Sequence, residues 1–232
     1  MRTVILAGGK GTRLKPFTTS LPKPLMPIGD TPILEIVLKQ LKKYGFDDIT
    51  LAVSHLSELI RAFFNDGSKW GVRISYSIED TPLGTMGPLK LIADLPENFL
   101  VMNGDVLTDF HFGKFYESHL RDRAMLSVAT IQREAPIDFG VLTTGENQQI
   151  TGFKEKPTYT FDVSMGIYAL NRKVLRFIPE GTLFGFDHLV LALLGSGEPV
   201  RAYPHRGFWL DIGRPEDYDK ANTDYVNYGT EV

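Results

Sequence analysis

The chain has 232 residues, 43% of them hydrophobic and 23% charged, with a formal net charge of -3 at pH 7 and no cysteine. This balance excludes a general attraction to nucleic acid or anionic membranes, so any anion site must be local. A disulfide framework and a thiolate metal centre are excluded outright, and no apolar run approaches the ~20 residues of a membrane span. The N-terminal apolar stretch is too short for a secretory leader, and the expectation is a cytoplasmic protein built as one domain over residues 1–232.

In chain order, TVILAG reads as a buried strand. Asp30 is a plausible N-cap for a helix with Pro32 in its first turn, apolar residues at Ile33, Leu34, Val37, Leu38 and Leu41, and Gly45 closing it. DDITLAVS (strand), HLSELIRAFFND (helix), VRISYSIE (strand), a short helix at GPLKLIADL and the strand ENFLVMNGD follow. This alternation predicts an α/β fold with a Rossmann-like, mostly parallel central sheet flanked by helices. The second half reads differently. AMLSVATIQ, FGVLTTGENQQITGFKEKP and TFDVSMGIYALN are strands joined by short turns, an antiparallel extension. A helix at GFDHLVLALLGSG, a strand at PVRAYPH and a closing helix at RPEDYDKANTDYVNYG complete the chain. Ligands of open α/β sheets gather at the carboxyl ends of the strands, which directs attention to the residues after Leu6, Glu79 and Met102.

LAGGKGTRL fits neither the dinucleotide nor the P-loop fingerprint. A dinucleotide G-x-G-x-x-G counted from Gly9 needs glycine where Leu14 stands, and no G-x-x-x-x-G-K-[ST] can be laid over residues 1–20. What remains is a strand followed by a loop poor in side chains, whose N–H groups can face phosphate, with Arg13 able to grip phosphate oxygens. An ordinary βα turn that merely needs glycines is an equal alternative. Lys23 lies between two prolines in SLPKPLMP, a point charge with little freedom to lose.

Asn103-Gly104-Asp105 ends one apolar run and Asp211 ends another, with a glycine directly before the first aspartate and one two residues after the second. Singly, each aspartate reads as a turn or cap residue. Together with Lys23 and Arg13 they form a candidate phosphoryl-transfer site, with Asp105 and Asp211 as Mg²⁺ ligands. Asp109, before FHF, reads as a cap or turn. Glu155 and Lys156 in FKEKP suit a phosphorylated sugar, the carboxylate accepting from hydroxyls and the ammonium neutralising phosphate. Gly140 in DFGVL and Gly166 in SMGIY bring glycine into strands, for backbone approach to a ligand or only for packing. The five histidines show no ligand spacing and read as structural or surface residues.

LAGGKGTRL, LPKPLMPIGDTPILE, EDTPLGTMG, NGDVLTDF, DFGVL, FKEKP, SMGIY and WLDIGRPEDY occur in this order over residues 1 to about 220. Together they resemble the sugar-1-phosphate nucleotidylyltransferases, most closely the mannose-1-phosphate and heptose-1-phosphate guanylyltransferase-like branch. The resemblance implies the nucleotide-diphospho-sugar transferase fold, with a nucleotide half over roughly 1–110 and a sugar-phosphate half over 111–232. It implies a Mg²⁺-dependent transfer from a nucleoside triphosphate, GTP by the branch, to a mannose- or heptose-type sugar 1-phosphate. By the same likeness Leu6, Ala7, Gly8, Gly9 and Asn103 line the nucleotide, and Gly11, Thr12 and Arg13 hold its triphosphate. Lys23 acts on phosphate, Glu79 and Gly84 read the base, and Asp105 and Asp211 bind Mg²⁺. Gly140, Glu155, Lys156, Ser164 and Gly166 contact the sugar phosphate. Ser164 departs from the asparagine of many relatives, and no C-terminal β-helix domain is expected. A non-catalytic nucleotide-sugar sensor and transfer to a non-sugar phosphate remain the alternatives. No nucleic-acid or membrane partner is expected. Self-association is open, and Tyr218, Tyr225 and Tyr228 either serve such a contact or simply pack the last helix.

Overall fold

The computed structural model describes residues 1–228, with side chains through Thr223. Strand β1 (Arg2–Leu6) enters directly at the centre, with Val4 and Ile5 fully buried. A sheet covered on both faces accounts for its unbroken apolar run. After the loop come β2 (Pro27–Ile28), β3 (Thr31–Pro32) and α1 (Ile33–Lys43). The cap expected at Asp30 is not formed. Ile28 pairs with Thr31 in a tiny hairpin, which puts Asp30 in the turn and Pro32 at the N-cap position of α1. At the other end Gly45 takes φ 78, and Phe46 N–H returns to Leu41 O at 3.1 Å, a glycine-terminated C-cap.

Strand β4 (Asp48–Val53), α2 (Ser57–Phe64), β5 (Arg73–Ile78), a 3-10 turn at Gly87–Leu91 and β6 (Asn98–Asn103) follow the expected alternation. Then come β7 (Val106–Thr108) and α3 (Phe112–Asp122). The sequence reading assigns no element at α3. The buried residues Phe112, Phe115 and His119 nevertheless recur at helical spacing there. The second half contributes β8 (Leu126–Pro136), the hairpin of β9 (Val141–Thr144) and β10 (Ile150–Lys154), and the long β11 (Thr158–Asn171). It ends with α4 (Phe186–Gly195), β12 (Val200–His205), β13 (Trp209–Asp211) and α5 (Pro215–Tyr228).

Seven strands form one sheet in the order β12-β8-β11-β6-β1-β4-β5. The pairs β1–β4, β1–β6 and β4–β5 are parallel, and β11 runs antiparallel to both β6 and β8. The expected antiparallel extension is therefore present, except that β12 joins β8 in parallel. Two apolar clusters cover the two faces, one around Leu34, Leu38, Phe64 and Phe115, the other around Met86, Phe99, Leu189 and Leu193. Each fully buried side chain of this size contributes about 1.5–3 kcal/mol.

Tyr218 packs on the chain itself: its hydroxyl donates to Pro27 O at 2.6 Å and its ring lies 6.2 Å from that of Phe17. The side chains of Tyr225 and Tyr228 lie outside the described residues. No helix among the described residues is long and apolar enough to cross a membrane.

Candidate active site

Two cavities open at the carboxyl edge of the parallel strands and share Leu6, Gly9 and Asp105 in their walls. The smaller, about 230 Å³, is completed by Ala7, Gly11, Thr12, Arg13 and Lys23 among others. The larger, about 570 Å³, is lined by Gly8, Ser54, Glu79, Gly84, Thr85 and Asn103 among others. Both are of the size that holds parts of a small molecule. Every nucleotide-side residue singled out in the sequence lines one of the two.

The glycine loop has an individual reason at each position. A Cβ on Gly8 would stand 3.3 Å from Ser54 Cβ, whereas one on Gly9 would meet nothing within 4 Å. Gly11 holds φ 58, and Thr18 clasps it, donating its hydroxyl to Gly11 O at 2.7 Å. That leaves the backbone at Gly9 bare toward the cavities.

Lys23 is not a solvated surface lysine. Pro22 and Pro24 are buried on either side, its side chain is only 13% exposed, and its ammonium pairs with Asp105 Oδ2. Asp105 Oδ1 is buried and has no hydrogen-bond partner. Strand β13 pairs with β7 so that Asp211 faces Val106, and Ile212 N–H donates to Asp105 O at 3.1 Å. Arg13 completes the cluster. From the Cβ position of Gly213, its two terminal nitrogens and Asp211 Oδ2 all lie 3.4 Å away. One apolar cluster carries all these segments: Leu14 follows Arg13, Met26 follows the Lys23 turn, and Leu210 and Ile212 flank Asp211. Burial, then the Asp105 charge, push the Asp211 carboxyl above its ordinary range, outweighing the pull of Lys23 and Arg13. An orphaned buried carboxylate oxygen beside a carboxyl that resists ionisation is what a hard divalent cation would relieve, so Asp105 and Asp211 fit Mg²⁺. No group of three or more acidic, histidine or cysteine ligands assembles among the described residues. Two carboxylates, completed by phosphate oxygens and water, match the habit of that ion.

On the far side of the larger cavity, Glu79 is partly committed to the fold: its Oε2 accepts from Leu83 N–H at 2.8 Å. The loop it braces is also held from the second half of the chain. Phe184 N–H donates to Leu83 O at 2.8 Å, and Phe184 O accepts from Met86 and Gly87 at 3.0 and 3.1 Å. Gly84, at φ 80, lies so close that a Cβ would stand 2.8 Å from Phe184 O. Ser54 and Thr85 also line this cavity and are absent from the sequence-based set. Ser54, directly after β4, was within reach of the carboxyl-edge rule; Thr85 carries no comparable signal.

The sugar-side residues divide. Gly166, at φ 73, abuts the larger cavity through Asn103, whose Nδ2 would lie 2.6 Å from a Cβ there. Ser164 is largely committed within the chain, donating to the Tyr168 hydroxyl and accepting from Gly166 N–H, both at 3.2 Å. Burial raises the Tyr168 hydroxyl above its ordinary range, and the charge of Asp211 adds to that push. Trp209 Nε1 donates to Met165 O at 2.9 Å, tying the strand of Asp211 to the same segment. Gly140, by contrast, packs against Phe153, with Glu155 Oε2 at 3.3 Å from its Cβ position. Glu155 and Lys156 are exposed, and with Gly140 they line neither cavity.

Three of the five histidines serve the fold. His119 Nδ1 faces Ser127 at 2.9 Å and its Nε2 faces Asn98 at 3.2 Å; His111 Nδ1 caps α3 by accepting from Lys114 N–H. His205 holds Asp109 at 2.8 Å, and Asp109 lines neither cavity.

The family model for nucleotidyl transferases matches residues 2–227. A UTP–glucose-1-phosphate uridylyltransferase from Synechocystis is 35% identical over 95% of this chain and 62% of its own length. A mannose-1-phosphate guanylyltransferase from Mycobacterium tuberculosis is 34% identical over 96% of this chain and 64% of its own length. The chain thus spans less than two thirds of these curated relatives. Among solved structures, HddC from Yersinia pseudotuberculosis superposes with a TM-score of 0.74 at 29% identity, covering 97% of this chain and 99% of that one. A further HddC structure, complexed with GMP-PN, matches at 28% identity with the same TM-score, over 97% of this chain and 99% of its own.

Proposed function

This chain belongs to the nucleotidyl transferase family, and we propose that it transfers a nucleotidyl group from a nucleoside triphosphate to a sugar 1-phosphate, releasing pyrophosphate. The observation that carries this reading is the meeting of Lys23, Asp105, Arg13 and Asp211 at cavities walled by the bare glycine loop. GTP is the preferred donor and a mannose- or heptose-type sugar 1-phosphate the acceptor, on the strength of the guanylyltransferase relative and the HddC complex with GMP-PN. The uridylyltransferase relative makes UTP the first donor to test against it.

We divide the labour near residue 110, nucleotide before and sugar phosphate after. The smaller cavity holds the triphosphate, with Gly9, Gly11 and Thr12 offering backbone donors and Arg13 a charged fork. The larger holds the nucleoside, with Glu79 and the Gly84 loop at the base. A phosphate oxygen of the sugar 1-phosphate attacks the α-phosphorus in line. The new P–O bond forms as the bond to the bridging oxygen of the β-phosphate breaks, and pyrophosphate departs with that electron pair. No general base is required, because a phosphomonoester with a second pKa of about 6 is mostly dianionic near neutral pH. The barrier is repulsion between two polyanions. Lys23 and Arg13 lower it by placing positive charge beside the transferring group; Lys156, which lines neither cavity, is assigned to the incoming phosphate by the sequence resemblance alone. Mg²⁺, held by Asp105 and Asp211, supplies charge neutralisation on the phosphates when bound. A cytoplasmic setting suits this reaction and a chain without cysteine.

The test is pyrophosphate release with Mg²⁺, crossing the common nucleoside triphosphates with hexose and heptose 1-phosphates. Release that needs both substrates and stops with chelator is expected. Release from no pair would overturn the reading.

A further inference from the structure

We infer that the segment Ser164–Tyr168 couples the two halves of the site, with Tyr168 as the positioning residue that relays nucleotide binding to the sugar-phosphate side. The inference rests on the proposed function, because it takes the Gly84 loop as the seat of the base.

The chain of contact is continuous. The loop from Leu83 to Gly87 takes four hydrogen bonds from or to the segment Phe184–Phe186. Three involve Phe184, and the fourth is donated by Phe186 N–H to Thr85 Oγ1 at 2.8 Å. Phe186 stacks on Tyr168, ring centroids 4.3 Å apart and planes 25° off parallel. The Tyr168 oxygen accepts from Ser164, whose oxygen in turn accepts from Gly166 N–H. Gly166 closes against Asn103, back in the wall of the larger cavity. Both ends of the relay therefore border one cavity, and Tyr168 at its centre is buried, 5% exposed.

The register supports a segment that can move as a unit. Pairing of β11 with β8 is interrupted between Ser164 and Tyr168, a bulge in an otherwise regular ladder, and pairing with β6 begins only at Ile167. Bulges free a backbone segment from the ladder and re-aim it. Here the freed amide of Gly166 is positioned by a side chain, Ser164, which is itself positioned by Tyr168. A nucleotide that fixes the Leu83–Gly87 loop fixes Phe184–Phe186, and through the ring stack it fixes the bulge on which the sugar phosphate is to dock. Ser164 acts here as a link in the relay, and the Tyr168 hydroxyl as the handle that sets it.

The test is hydrogen exchange on the full chain, with GTP as probe and without sugar phosphate, so that the readout does not depend on turnover. In the native protein, GTP slows exchange in both the 79–88 and 160–168 segments, the latter by about fivefold or more, the lower end of ordinary site-to-site coupling. Tyr168→Phe keeps the ring and removes the handle. Protection of 79–88 and GTP affinity persist, while the slowing at 160–168 falls below about twofold. Phe186→Leu, which removes the stack, gives the same split and carries the test should Tyr168→Phe fail to fold. Slowing at 160–168 that survives both substitutions, or that is absent from the native protein while 79–88 is protected, would overturn the coupling. Protection of neither segment by any common nucleoside triphosphate would overturn the proposed function itself, and the coupling with it.

Discussion

Lys23 and Asp105, 82 residues apart in the chain, meet as an ion pair that uses one carboxylate oxygen and leaves the other buried without a partner. The pair is largely shielded, the two side chains being 13% and 21% exposed. Its geometry suits a lysine that is handed from a carboxylate to a phosphate when ligand and cation arrive. Lys23→Ala should lower turnover by at least ~100-fold, about 3 kcal/mol of barrier. The melting temperature should move by only a few degrees, since Pro22, Pro24 and the apolar cluster beneath stay in place. Steady-state kinetics beside thermal unfolding checks this; turnover close to native would remove Lys23 from the mechanism.

Two glycines of the loop should respond oppositely to alanine. Gly9→Ala meets no atom within 4 Å, so stability should stay native while nucleotide affinity falls, because the added methyl stands where the proposed reading puts phosphate. Gly11→Ala places a non-glycine at φ 58 with its Cβ 2.8 Å from Thr18 Cγ2, and should cost about 1–2 kcal/mol of stability from the left-handed backbone alone. Denaturant unfolding and nucleotide titration of both variants separate the two effects. Equal losses of stability would contradict the assignment.

Glu79 both braces Leu83 and faces the larger cavity. Glu79→Gln keeps an oxygen for the Leu83 amide and removes the charge. The variant should keep native stability and lose preference among bases by about tenfold, the worth of one charged hydrogen bond of roughly 1.5 kcal/mol. Competition between GTP and UTP reads this directly, and an unchanged preference would assign Glu79 to the loop alone.

Burial lowers the pKa of His119, 1% exposed, to about 4 from an ordinary 6.5. The neutral ring is held between Ser127 and Asn98; Asn98 Oδ1 also accepts from Asn171, so Nε2 carries the proton. The unfolded chain binds that proton first. Stability from this residue is therefore full above pH 6.5 and lost as pH falls toward 4, by about 3 kcal/mol. His119→Gln should flatten the fall in unfolding free energy between pH 7 and 4.5. A variant with the native pH profile would contradict the shift.

The parts of the site that were legible in the sequence are those fixed by local order. Leu6, Glu79 and Asn103 sit at strand ends, where the carboxyl-edge rule looks, and the proline-flanked Lys23 announced a held cation. The approach of the Asp211 segment to Asp105 needed a short strand pair, β7 with β13, that no local pattern specifies. The clasp of Phe184 on the Gly84 loop and the stack of Phe186 on Tyr168 join residues about a hundred and about twenty positions apart, and hydrophobic periodicity says nothing about such partners. Asp30 failed as a helix cap for the same reason, because the pairing of Ile28 with Thr31 took the residue into a turn.

The most direct measurement of the central claim is the fate of label from GTP carrying ³²P at the α position, incubated with Mg²⁺ and a mannose- or heptose-type 1-phosphate. The account predicts that the label appears in the sugar nucleotide in step with unlabelled pyrophosphate, and that Lys23→Ala abolishes both. Label recovered only in free nucleotide, or release of pyrophosphate without a sugar phosphate present, would contradict nucleotidyl transfer to a sugar.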